Sequence, residues 1–122
     1  MSSVLDASAI LAFLSGEPGA DVVEAHLGNE AHCAAVNWSE VAQKVRASGG
    51  DWDLSRALLA SYGLQIQAVE EADAEWAAAR WRRGEGLSIA DRLCLALSRR
   101  LALPAVTADR SWAGDDMVLQ IR

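Results

Sequence analysis

Short apolar segments alternate with longer helix-like segments along this chain, and the alternation strongly constrains how it can fold. The strand-like segments are residues 2–5, 31–36, 64–69, 105–107 and 117–121, and the helix-like ones are residues 7–15, 18–27, 38–47, 51–62, 70–83 and 88–103. Strands separated by helices pair in parallel through right-handed crossovers. The sequence therefore predicts an α/β fold, a three-layer α/β/α sandwich with a central, mainly parallel sheet. Polar residues on both sides of Ile66 predict an edge strand there.

The size and composition of the chain predict one ordered globular domain over residues 1–122. Apolar residues make up 52% of the sequence, a fraction typical of folded proteins. No apolar run approaches the roughly 20 residues that span a bilayer, and the first residues lack the basic region of a signal peptide. Cys33 and Cys94 lie far apart in apolar surroundings, which predicts buried free thiols. We therefore expect a cytoplasmic protein without a membrane partner.

Four acidic residues recur in one local setting, where a strand-like segment ends or a helix-like segment begins. They are Asp6, Glu40, Asp91 and Asp109. In a parallel sheet these places lie along the carboxyl edge, where ligands of open α/β sheets bind. We therefore expect the four carboxylates to converge into one cluster. Such a set of hard oxygen donors suits Mg²⁺ or Mn²⁺.

Each of the four acids also has a purely structural interpretation. Residues 37–40 and residues 88–91 have the spacing of a capping box, in which a polar residue caps a helix and an acid three residues later bonds back. Asp6 and Asp109 can likewise cap the helix or turn that follows. Capping does not explain why four acids share one sheet edge, because carboxylates repel one another and Ser, Thr or Asn also cap helices. A metal site is therefore the favoured interpretation.

The charge balance of the chain bears on a nucleic-acid partner. A net charge of −6 argues against such a partner unless a metal compensates it. Neutralising the four acids reduces the net charge from −6 to −2. Ten of the eleven basic residues are arginine, which is suited to bidentate contact with phosphate. RNA is therefore compatible with this sequence, provided that a metal is present.

Four segments carry a resemblance to a known family. They are residues 4–9 (VLDASA), 37–41 (NWSEV), 86–97 (GLSIADRLCLAL) and 103–112 (LPAVTADRSW). In this order and spacing they resemble the PIN-domain ribonucleases, most closely the VapC-type toxins of type II toxin–antitoxin systems. The resemblance extends over nearly the whole chain.

The resemblance implies a metal-dependent endoribonuclease, with Asp6, Glu40, Asp91 and Asp109 as ligands of one or two Mg²⁺ or Mn²⁺ ions. Ser8 and Thr107 are expected to hydrogen-bond these carboxylates and orient them. The metal would activate a water molecule for attack on the phosphodiester bond. The implied products carry 5′-phosphate and 3′-hydroxyl ends.

Partners and RNA contacts are also implied. Basic residues near the acids are the candidates for contact with the RNA backbone: Arg92, Arg110, Lys44 and Arg46. The resemblance to VapC-type toxins further implies a homodimer and a cognate antitoxin protein. Apolar residues in the segments 38–47 and 51–62 are consistent with a groove for that antitoxin.

Two other functional classes stay open from the sequence. One is a catalytically silent binding module with the same fold, against which the intact acidic set argues. The other is a phosphoacceptor signalling domain, which also holds Mg²⁺ in an acidic pocket. Such domains resemble one another in an adjacent acidic pair after the first strand and a lysine after the last one. In this chain Leu5 and Ala7 flank Asp6, and Lys44 is the only lysine.

Overall fold

The computed structural model describes residues 2–112 and 115–122. The elements in this part of the chain are, in order, β1 (Ser3–Leu5), α1 (Ala7–Ser15), α2 (Ala20–Leu27), β2 (Ala31–Ala34), α3 (Ala35–Ala47), α4 (Trp52–Ser61), β3 (Gln65–Gln67), α5 (Glu71–Arg80), α6 (Ile89–Leu101), β4 (Ala105–Thr107) and β5 (Val118–Gln120). Each predicted strand and helix is present, with most boundaries shifted by one to three residues.

The five strands form one sheet in the order β3-β2-β1-β4-β5, and each neighbouring pair is parallel. Strand β1 is central, so the residue that follows it emerges at the middle of the carboxyl edge. Strand β3 lies at one edge of the sheet, as the polar alternation around Ile66 predicts. The predicted α/β class and the parallel sheet are confirmed.

Helices cover both faces of the sheet, because alternate residues of the interior strands point to opposite sides. One core contains Leu5, Cys33 and Val106 of the strands together with residues of α1 to α4. The other contains Val4 and Ala105 together with residues of α6. Helix α5 packs against α6 as part of the second layer. The molecule is therefore the three-layer sandwich that the sequence predicts.

The start of α3 differs from the prediction. The apolar run 31–36 was expected to be strand throughout, but β2 ends at Ala34 and α3 begins at Ala35. The last residue pair between β2 and β3 is Ala34 with Gln67, so a longer β2 would have no partner on that side. Alanine is also the strongest helix former, which favours turning directly into a helix.

The end of α5 differs as well. The helix was expected to continue to residue 83, but it ends at Arg80, and Trp81 is extended. Arg80 forms two hydrogen bonds to the carboxylate of Glu85, at 2.6 and 3.0 Å. This ion pair stabilises the turn of residues 81–84 between the two side chains.

Across the described ranges, no helix has both the length and the apolar character needed to cross a membrane.

Both cysteines are free and buried, as the sequence predicts. Cys33 belongs to the core on one face of the sheet and Cys94 to the core on the other.

Candidate active site

Asp6 and Thr107 meet at the carboxyl edge of the sheet. Asp6 directly follows β1, and Thr107 is the last residue of β4. The two strands are neighbours in register, with Leu5 beside Val106. The Thr107 hydroxyl therefore donates a hydrogen bond of 2.6 Å to the Asp6 carboxylate across 101 residues of sequence.

Asp6 is a buried carboxylate with several donors around it. Its side chain is 3% exposed and accepts hydrogen bonds from the Ser8 hydroxyl and from the backbone N–H of Ala9, each at 2.8 Å. The bond from Ala9 caps helix α1. Burial raises the pKa of Asp6 to about 6, although the three donors oppose this shift. Burial therefore outweighs the three hydrogen bonds, and the charged form of the Asp6 carboxylate is less favourable than it is in water.

The two hydroxyls link Asp6 to the segment that carries Asp109. The Ser8 oxygen accepts a bond from the N–H of Ala108 at 2.9 Å, and the Thr107 oxygen accepts one from the N–H of Asp109 at 3.0 Å. Each hydroxyl has one hydrogen, and each directs it to Asp6. The orientation of both side chains is therefore set by a backbone donor on one side and by Asp6 on the other.

Asp91 and Asp109 both bond to nearby backbone. Asp91 accepts from the N–H of Ser88 at 3.0 Å, and the Ser88 hydroxyl accepts from the N–H of Asp91 at 3.1 Å, which completes a capping box on α6. The exposed Asp109 accepts from the N–H of Ser111 at 2.8 Å, as in a turn. The capping interpretation of these two residues is confirmed, and it does not exclude a second role.

Glu40 has a different setting. Helix α3 begins at Ala35, so Asn37 is its third residue and not its N-cap, and the predicted capping box with Glu40 is wrong. The side chain of Asn37 is 1% exposed and donates to the Glu40 carboxylate at 3.1 Å and to the carbonyl oxygen of Ala90 at 3.3 Å. The sequence interpretation therefore missed a contact between α3 and α6. The spacing of three residues signals only the bond between Asn37 and Glu40, because it places both on one helix face, and no local pattern signals the bond to Ala90.

The charges of three acids affect the pKa of Cys94, whose thiol is fully buried in α6. Burial raises the pKa of this thiol well above its usual range, and the charges of Asp6, Asp91 and Glu40 contribute to the rise. The charge of Asp91 also raises the pKa of Asp6. The hydrogen bonds of Asn37 independently place Glu40 beside the first turn of α6, the turn that carries Asp91. Asp109 is connected to Asp6 through the hydroxyl of Thr107.

These acids do not form a closed ligand group. In residues 2–112 and 115–122, no three His, Cys, Asp or Glu side chains are close enough together to hold a metal ion. Each carboxylate instead accepts hydrogen bonds from groups nearby. The donor set nevertheless fits Mg²⁺ or Mn²⁺, because it consists of carboxylate oxygens. A cation would also offset the cost of burying the charge of Asp6, which forms no ion pair within the described part of the chain.

The basic residues predicted to contact RNA have varied settings. Arg92 points toward α5, where it donates to the carbonyl oxygen of Ala77 at 2.7 Å. Arg110 is exposed and donates to the carbonyl oxygen of Arg122 at 3.2 Å. Lys44 and Arg46 are exposed in the last turn of α3. Arg92 is therefore less available to a ligand than its place beside Asp91 suggests, and RNA contact by any of the four stays a prediction.

Comparison with known proteins identifies the family. The family model for the PIN domain matches residues 3–114. Among solved structures, one described as a toxin-antitoxin complex from Klebsiella pneumoniae superposes with a TM-score of 0.83, at 20% sequence identity over 99% of this chain and 98% of that one. No curated protein sequence gives a significant match.

Proposed function

The chain belongs to the PIN-domain family, and from that premise we propose that it is a metal-dependent endoribonuclease that acts as the toxin of a toxin–antitoxin pair. PIN domains are generally nucleases, so hydrolysis of a phosphodiester bond is the expected reaction. The observation that carries the proposal is the buried carboxylate of Asp6, held by two hydroxyls and influenced by the charge of Asp91. A carboxylate needed only to cap α1 would gain nothing from this burial.

The proposed ligands of Mg²⁺ or Mn²⁺ are Asp6, Glu40, Asp91 and Asp109. When bound, the metal supplies a water molecule of lowered pKa and positive charge against the phosphate. Ser8 and Thr107 orient the carboxylate of Asp6 by donating to it. Such supporting groups raise the affinity of metal ligands by keeping them in a single orientation.

The substrate is proposed to be RNA, cut to leave 5′-phosphate and 3′-hydroxyl ends. Three exposed cations support this proposal, because Arg110, Lys44 and Arg46 form no ion pair in the described residues and each lies one to six positions from one of the acids in sequence. Arg92 would first have to release the carbonyl oxygen of Ala77. Cleavage should therefore weaken as salt concentration rises, because phosphate contacts release bound counterions.

An antitoxin partner and a homodimer are part of the proposal. The solved structure that superposes on this chain is described as a toxin-antitoxin complex. A cavity of about 180 Å³ beside α4 and β3 is lined in part by Trp38, Arg56 and Ile66. Helix α4, which supplies Arg56, also exposes Leu54 and Leu58. Exposed apolar side chains of this kind support a docking surface for a protein. Two free thiols support a reducing compartment, the cytoplasm.

Cleavage assays with and without metal test the proposal. Purified protein is expected to cleave RNA with Mg²⁺ or Mn²⁺, and to lose cleavage in EDTA and on Asp91→Asn. The matched control is Asp53→Asn, which removes a first-turn acid from α4, away from the four acids in sequence. Sequencing of RNA 5′ ends after induced expression, beside Asp6→Ala, would identify the sites cut.

Two results would contradict the proposal. Cleavage by Asp91→Asn at the rate of the unmodified protein would remove that residue from the site. Absence of both cleavage and Mn²⁺ binding by calorimetry would favour a catalytically silent module with the same fold.

A further inference from the structure

We infer that Asn37 is a positioning residue that holds the Glu40 carboxylate against the N-terminal turn of α6, an inference that rests on the proposed metal site. Asn37 lies one turn before Glu40 on α3 and donates to it at 3.1 Å. The same amide nitrogen donates at 3.3 Å to the carbonyl oxygen of Ala90, the residue before Asp91. One side chain therefore links the Glu40 carboxylate of α3 to the backbone of the first turn of α6, the turn that carries Asp91.

The orientation of the Asn37 amide follows from its partners. Both atoms within reach of the amide nitrogen, a carboxylate oxygen and a backbone carbonyl oxygen, are acceptors only. Turning the amide over would bring its oxygen against these two acceptors and would lose both bonds. The amide nitrogen carries two hydrogens and donates two hydrogen bonds, so it has no hydrogen left for another acceptor.

The burial of Asn37 indicates that stability alone does not explain it. The side chain is 1% exposed, and its oxygen has no hydrogen-bond partner within the described residues. An unpaired buried acceptor costs free energy, and an apolar residue of similar shape avoids that cost. An asparagine here is therefore unfavourable for the core but suitable for orienting a carboxylate.

The consequence concerns the geometry of the acids. With one oxygen of Glu40 bonded to Asn37, the carboxylate loses rotational freedom and its other oxygen stays available to a ligand. Because Ala90 lies in the first turn of α6, the bond also limits how far α3 and α6 can separate. Asn37 itself is buried and acts through Glu40 without touching the RNA.

Asn37→Leu tests this inference, because leucine has a similar shape, removes the unpaired oxygen and cannot donate. We expect the variant to melt at the same temperature or higher. Its affinity for Mn²⁺, measured by titration calorimetry, should fall by about tenfold, the lower range for residues that support metal ligands. The rate constant for RNA cleavage should fall with little change in KM. Gln43→Leu, at an exposed position of the same helix, should leave the Mn²⁺ affinity and the rate constant for cleavage unchanged.

A double-mutant cycle with Glu40→Ala separates positioning from a general structural effect. If Asn37 acts through Glu40, adding Asn37→Leu to Glu40→Ala produces no further loss of Mn²⁺ affinity. The inference is overturned if Asn37→Leu binds Mn²⁺ as the unmodified protein does, or if its loss is equally large in the Glu40→Ala background. Asn37→Ser provides the same comparison if the leucine variant does not fold. Unmodified protein that neither binds Mn²⁺ nor cleaves RNA would instead refute the proposed function, and this inference with it.

Discussion

The N-terminal regions of α3 and α6 carry the same sequence pattern and use it differently. In α6, Ser88 and Asp91 form a capping box in which each side chain bonds to the backbone of the other residue. In α3, Asn37 and Glu40 have the same spacing, but both lie inside the helix and bond to each other. The spacing that caps the start of α6 is therefore an internal contact in α3.

The difference arises from what precedes each helix. Helix α6 follows a loop that contains Gly84 and Gly86, both with positive φ, so the helix can begin at its best cap. Helix α3 follows β2 with no intervening residue, and β2 ends where its pairing with β3 ends, at Ala34. The sheet therefore determines where α3 begins, so Asn37 falls inside the helix and is buried, while Glu40 stays partly exposed one turn later.

Glu40→Gln should cause the largest effect and tests whether both helix starts supply ligands. We expect RNA cleavage to fall at least about 100-fold, as for Asp91→Asn, because even groups that only support a metal ligand contribute roughly 10–100-fold. The free energy of unfolding should change by less than about 0.5 kcal/mol, because glutamine retains the acceptor for Asn37. Initial rates and urea denaturation measure the two quantities. Normal cleavage by this variant alone would place Glu40 outside the site.

Asp6 caps α1, as Ser88 caps α6, and it is also buried, as Asn37 is. The effect of burial can be measured through the dependence of stability on pH. Its folded pKa of about 6 lies above the ordinary value of 3.8, so the folded state binds more protons between these values. The free energy of unfolding without divalent metal should therefore decrease as pH rises from 4 to 7, by about 2 kcal/mol from this residue.

Asp6→Asn should lose that dependence, because asparagine does not titrate. Urea denaturation at several pH values in EDTA measures it, and Asp53→Asn, an exposed acid of α4, should keep the slope of the unmodified protein. Parallel curves for Asp6→Asn and the unmodified protein would show that burial does not disfavour the charge of Asp6.

Ser88→Ala gives the smallest effect and tests the α6 cap against the α3 contact. Loss of the cap should lower the free energy of unfolding by about 1 kcal/mol. Asp91 keeps its bond from the N–H of residue 88, so Mn²⁺ affinity should change little. The opposite result, a stable protein with weakened Mn²⁺ binding, would mean that Ser88 positions Asp91 for the metal and does not mainly cap α6.

Several features were predictable from the sequence because they depend on residues close together in the chain. The alternation of segments predicted the parallel sandwich, and the Ser88 and Asp91 pattern predicted a cap that spans three residues. The end of α5 at Arg80 and the inward direction of Arg92 were not predictable, because both depend on contacts with other parts of the structure.

By itself, the sequence determined the fold class, the caps of α1 and α6, and the position of four acids near strand ends and helix starts. Only the tertiary structure decided which groups surround those acids. The bond from Thr107 to Asp6 spans 101 residues and requires β1 and β4 to pair in register. The bond from Asn37 to Ala90 spans 53 residues and requires α3 to begin directly at the end of β2. Local patterns contain no information about strand register or helix docking, because both follow from how the whole chain packs.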